Sequence, residues 1–288
     1  MADFEVISWI TPTNFETVLT NQGWVDVVGW RGFDMAEIQH IEEETPFEFG
    51  SQYRRTKILP RLLELDLIVW GEDRQELFNG IRQLRSIFNY QQGIGRIKVI
   101  PPDENAVSIS CLYQEGLQGE SGTNEDGFAW RKVTLVFRAF DPFFYSLYPV
   151  NLAFLVQENP PTWFPLLPLQ LGGDAISAEF EVFNSGDVFT YPTWEIRGPG
   201  QNPIMINHST GKKLQLDGVV LGEGESVLID TQQRIIQNSS GGNLFPALAW
   251  GTGLWTLAVG HNQIKLELPS ATESSLVRLT FAERFLGV

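Results

Sequence analysis

From about residue 178 onward, Gly, Pro, Asn or Asp interrupts the chain every few residues, and the pieces between are short and alternately apolar. "AEFEVF" stops at "NSGD", and "TWEI" stops at "RGPGQNP". "IMIN" turns through "HSTGK" into "KLQL", "VVL" passes "GEGE" into "SVLID", and "TQQR" leads to "IIQN". Further on, Ile264, Leu266 and Leu268 alternate with Lys265 and Glu267, as Val277, Leu279 and Phe281 do with Arg278 and Thr280. A period of two over so few residues is a half-buried strand. Pro cannot donate to a ladder, while Gly and Asn accept the backbone angles of tight turns. Many such strands in succession make an antiparallel β-sandwich, in which Asn202 and Pro203 turn a corner.

The first half reads differently. In "KILPRLLELDLIVW", Leu63, Leu65, Leu67 and Val69 alternate with Glu64 and Asp66, then Ile68 and Trp70 make the outer face apolar as well. The period then changes, with Leu77, Phe78, Ile81, Leu84, Ile87 and Phe88 at helical spacing, behind a capping box of Asp73 and Glu76. This is the one strong helix pattern, and it predicts a helix lying on a sheet face. "GRIKVI" and "AVSISCLY" flank "PPDEN" as a hairpin. Residues 114–127 are polar and Gly-rich, a loop long enough to be either a mobile tip or a docking arm, with Glu120, Glu125 and Asp126 as candidate contacts. "FAWRKVTLVFRAF" is a strand that "DPFFY" ends, because Pro142 cannot continue a ladder. Four prolines between residues 150 and 175 mark a boundary. The expected organisation is a domain over 1–150, a linker over 151–170 and an all-strand domain over 171–288.

Composition narrows the function. A chain of 288 residues with 43% hydrophobic residues can bury two cores without disulfides. The single cysteine, Cys111, alternates in step with Val107, Ile109 and Tyr113 and reads as a small core hydrophobe. A net charge of −15, from 35 acidic and 20 basic residues, repels phosphate backbones, and no basic stripe offers specific nucleic-acid binding. No apolar run approaches the ~18 residues of a membrane span, so no membrane insertion is expected. The first residues, "MADFEVISWI", lack the basic start of a signal peptide.

Chemistry-bearing patterns are sparse. His40, His208 and His261 each stand alone, and no G-x-S-x-G elbow is present. "STGK" at 209–212 ends like a phosphate loop but runs into strand where a helix is required. Glu42, Glu43 and Glu44 lack calcium-loop spacing and read as a solvated face. Trp250 and Trp255 are candidates for stacking on sugar rings or for packing in a core. No catalytic, cofactor-binding or metal-binding residue is assigned, and no enzyme activity is expected.

The order of these pieces resembles a known family. The run "YPTWEIRGPGQNPIMINHSTGKKLQL … GESVLIDTQQRIIQNSSGGN … LAVGHNQIKLEL" is similar to the C-terminal region of siphophage distal tail proteins, and "LPRLLELDLIVWG", the helix and "FDPFFY" resemble their N-terminal half. Ser209, often Thr in the family, and Val259, often Pro, depart from its pattern within turns. The resemblance implies a mainly β fold: an N-terminal β-sandwich with one α-helix that builds a homohexameric ring, and a C-terminal galectin-like antiparallel β-sandwich. It implies a structural protein at the distal end of the virion tail, assembled in the bacterial host cytoplasm. Its partners would be the tail tube protein, the tail-tip protein and the receptor-binding proteins, with DNA passing through the ring. The alternative is a carbohydrate-binding module acting in host adhesion.

Overall fold

The computed structural model describes residues 5–44, 49–102, 105–118, 126–155 and 175–288. The chain forms two compact units, one of Met1–Leu147 with Phe285–Val288, the other of Tyr148–Arg284.

The strands of the first unit are β1 (Val6–Ile10), β2 (Glu16–Val18), β3 (Val25–Arg31), β4 (Ile38–Glu44), β5 (Ser51–Ile58) and β6 (Arg61–Trp70). After helix α1 (Arg74–Ile87) come β7 (Gly95–Ile100), β8 (Val107–Glu115), β9 (Trp130–Ala139) and β10 (Phe144–Ser146). The main sheet runs β2-β1-β7-β8-β9-β6-β3, with β10 beside β8. β8 is shared along its length, since Val107–Cys111 pair with β7 whereas Leu112, Tyr113 and Glu115 pair with β9.

Alternation drives this arrangement. Leu63, Leu65, Leu67 and Val69 of β6 face inward with Val133, Leu135 and Phe137 of β9. Opposite them α1 inserts Leu77, Ile81 and Leu84, followed by Phe88. Among the described residues α1 is the only α-helix. Its N-cap is Asp73, whose carboxylate accepts from the Glu76 N–H at 2.8 Å. The Glu76 carboxylate reaches back one residue further than the expected box, accepting from the Glu72 N–H at 2.6 Å. Gly80 lets the helix approach the sheet, because a Cβ there would lie 3.0 Å from Val69 Cγ1. Phe78, expected on the buried face, is exposed and lies beneath the Arg74 guanidinium. Cys111 is fully buried, and desolvation pushes its thiol pKa up, so it is an inert core group.

The second unit comprises β11 (Val150–Leu155), β12 (Ala175–Asn184), β13 (Thr193–Arg197), β14 (Gly200–Gln201), β15 (Ile204–Asn207) and β16 (Lys212–Gln215). β17 (Val220–Leu221), β18 (Ser226–Asp230), β19 (Ile235–Asn238), β20 (Gly260–Pro269) and β21 (Leu276–Phe281) follow. A five-stranded sheet, β11-β21-β13-β18-β19, and a four-stranded sheet, β12-β20-β15-β16, contribute side chains to one core and so form a sandwich. Trp194, Ile229 and Leu279 come from the first sheet, Met205, Ile264 and Leu266 from the second. The corner at Asn202 is as expected. Its φ is +46°, and its backbone N–H and side-chain oxygen bond the Val219 carbonyl and N–H at 2.9 and 3.1 Å.

Two boundaries differ from the expectation. Residues 151–155 of the expected linker are strand: Leu152 and Phe154 pack on the second core while Asn151 and Ala153 face out. The proline cluster beyond them obscured that alternation; residues 156–170 lie outside those described. Phe285–Val288, expected in the second domain, belong to the first unit. Arg61 Nη2 donates to the Leu286 carbonyl at 2.5 Å, and the Val288 N–H donates to the Phe33 carbonyl at 3.1 Å.

Candidate interaction surface

The most exposed ordered element is the hairpin β4–β5, which pairs only with itself among the described residues. Its side chains are exposed except Ile41 and Ile58, which are half-buried. A hairpin whose faces are both wet has no apolar alternation to signal it, so no period marks these residues as an arm. Glu42, Glu43 and Glu44 do lie on a solvated element, as expected. Opposite them β5 carries Arg54, Arg55 and Lys57. Arg54 Nε donates to Glu43 at 2.6 Å, and Ser51 bonds Glu42. A bulge between Ile41 and Glu42 shifts the register, so Ile41 pairs with Arg55 and Glu42 with Tyr53.

The loop expected to carry contacts is described only at its ends. Glu120 and Glu125 lie outside the described residues. Asp126 is not a free contact. Its side chain is only 12% exposed and forms a two-pronged pair with Arg131, Nε to Oδ1 at 3.2 Å and Nη2 to Oδ2 at 2.7 Å. Arg74 Nη1 stands 3.8 Å from Oδ1. The hydrogen bond from Arg131 holds the Asp126 carboxyl below its ordinary pKa. Asp126 therefore staples the loop's return into β9 through a half-buried ion pair.

The two tryptophans part company. Trp255 is buried, edge-on to Trp194 with ring centroids 5.9 Å apart, and its Nε1–H donates to the Met205 carbonyl at 3.4 Å. It is core, and no sugar can reach it. Trp250 is fully exposed. The neighbouring Ala249 and Gly253 N–H groups donate to Gln215 and Lys213 carbonyls along β16, so the loop is tied down while the ring projects.

Several other polar groups are paired within the fold. His261 bonds Glu181 at 2.7 Å, His40 bonds Thr56 at 2.9 Å, and Arg197 and Arg278 both reach Glu195 on the five-stranded sheet. A cleft between α1 and β9 presents Arg85, Arg131 and Lys132, but Arg131 is held by Asp126 and Lys132 lies 3.4 Å from Asp66. No cluster of three potential metal ligands occurs among the described residues. Among the described residues no helix is long and apolar enough to cross a membrane.

Residues 185–285 match the family model for the siphovirus-type tail component, C-terminal domain. Over this stretch the chain is similar to that tail-component family. The matched span begins just after β12 and takes in the core strands β13 to β21, with the Trp194–Trp255 pair. The fold likeness extends beyond it. SPP1 Dit, described as a paradigm of the hub adsorption apparatus in phages that infect Gram-positive hosts, aligns with a TM-score of 0.68 at 19% identity, covering 98% of this chain and 100% of that one. A chain of the phage P2 baseplate in its activated conformation with Ca aligns at 0.53 and 10% identity, covering 98% of each. The phage p2 baseplate with Sr gives 0.51 and 10%, covering 96% and 98%. Comparison with curated proteins gives no match. At these identities the structural likenesses are likenesses of fold. The described residues are mainly β with one α-helix, and the fold resembles that of SPP1 Dit.

Proposed function

We propose that the chain is a structural subunit of a siphovirus tail tip, without catalytic activity. Six copies close a ring at the distal end of the tail, between the tail tube protein and the tail-tip protein with its receptor-binding proteins. The ring leaves a channel for DNA and is assembled in the host cytoplasm. The observation that carries this reading is the coincidence of two likenesses. The tail-component family model matches residues 185–285, and the fold aligns with that of SPP1 Dit over 98% of the chain, first unit included.

Charge fits the role. Six copies of a chain with net charge −15 carry −90. We place part of that charge on the channel wall, where it keeps passing DNA from adhering. A sugar-binding role for the second unit rests on Trp250 alone, since Trp255 is core. Light scattering on the purified protein, then a reconstruction from electron micrographs, tests the reading. Six-fold rings with an acidic lumen are expected. A basic lumen would sink the charge argument. A monomer at every concentration would sink the self-assembling ring and direct a glycan screen to Trp250.

A further inference from the structure

We propose that the β4–β5 arm is the contact by which copies of this chain join one another, the acidic β4 edge of one copy pairing with the basic β5 edge of the next. The assignment rests on the ring reading above and names the surface that closes it.

An isolated two-stranded hairpin is marginal in water, and this one has no fully buried side chain. Its outer edges pair with no other described strand, so among the described residues no strand takes up the row of backbone donors and acceptors along them. Charged residues ordinarily blunt such edges. Here the charges are sorted by strand: β4 carries Glu42, Glu43 and Glu44 with no Lys or Arg, and β5 carries Arg54, Arg55 and Lys57 with no Asp or Glu. Within the arm only Arg54 is matched to an acid, Glu43; Arg55, Lys57 and Glu44 have no ion-pair partner among the described residues. Like edges repel, so two arms cannot meet β4 to β4 or β5 to β5 about a two-fold axis. Unlike edges attract, and that contact uses different surfaces on its two sides. Heterologous contacts of this kind generate rings when the rotation closes and filaments when it does not. Arms pointing the same way also bring β5 beside the next copy's β4 in antiparallel sense, so the hairpins merge into one antiparallel band.

The test uses the full chain and three variants, followed by light scattering and negative-stain imaging over a concentration series. Variant one is E42K/E43K/E44K, variant two is R54E/R55E/K57E, and variant three combines all six changes. Variants one and two are expected to raise the half-assembly concentration by at least about a hundredfold. Mixing them in equal amounts restores assembly, since one then has two basic edges and the other two acidic ones. Variant three, with the signs exchanged, assembles alone. Circular dichroism is expected to be unchanged, because the arm lies outside both cores. In the wild-type chain, assembly is expected to slow amide exchange within 38–44 and 51–58. Wild-type rings that persist in variants one and two, without that protection, overturn the arm contact and leave the ring reading standing. Wild-type filaments that the two variants abolish support the contact and overturn the ring. A wild-type chain that never assembles overturns both.

Discussion

Asp126 owes its behaviour to an arginine five residues away. The carboxylate meets Arg131 across the strand-to-loop junction, with Arg74 of the helix behind it. Because Arg131 lowers its pKa in the folded chain, the pair contributes stability that is complete above the ordinary aspartate range and is lost as pH falls through the depressed value. Asp126→Asn keeps the size of the side chain and removes the charge. The expected cost at pH 7 is about 1–3 kcal/mol. The stability of the variant, followed by urea unfolding, should fall less steeply than wild type below about pH 4. A wild-type acid limb that the substitution leaves unaltered would show that the pair carries no pH-dependent stability.

At the level of elements, helix α1 joins local chemistry to packing. Asp73 satisfies an N–H that the first turn leaves open, and Leu77, Ile81 and Leu84 then seat the helix on the sheet. Asp73→Ala is expected to cost about 1 kcal/mol, and Asp73→Ser to recover most of it. Guanidinium unfolding of the three proteins checks this, and equal midpoints would show the cap to be irrelevant. The helix and the strands around it were legible because each buries one face, so period alone reveals them. The same logic explains what was missed. The arm buries neither face, and its residues carry no period to read. Trp250 and Trp255 look alike in sequence, and only the path of a loop held along β16 sends one out and the other in. Asp126 looked free because its partner lies across a turn, while Phe78 sits at a helical spacing that the sheet does not cover.

Across the whole molecule, the chain leaves the first unit at Leu147 and returns to it at Phe285. The return has a specific receptor in Arg61, which is buried despite its charge. Desolvation lowers its pKa, and the guanidinium is compensated by the carbonyls of Gly32, Asp34 and Leu286 and by the Phe144 ring at 5.0 Å. Only the last of those carbonyls comes from the returning segment, so the segment completes a cage that the first 147 residues begin. Deleting 285–288 would leave Arg61 one acceptor short and uncover Phe33, whose carbonyl also loses the Val288 N–H. The expected loss is about 1–3 kcal/mol, confined to the first unit. Hydrogen exchange resolved by segment separates this from a global effect. Amides of β6 and β3 should exchange faster in the truncated chain, and those of β15 and β20 at the wild-type rate. Equal acceleration in both sets would mean that the returning segment stabilises the chain as a whole, and unchanged rates in β6 would remove Arg61 as its receptor.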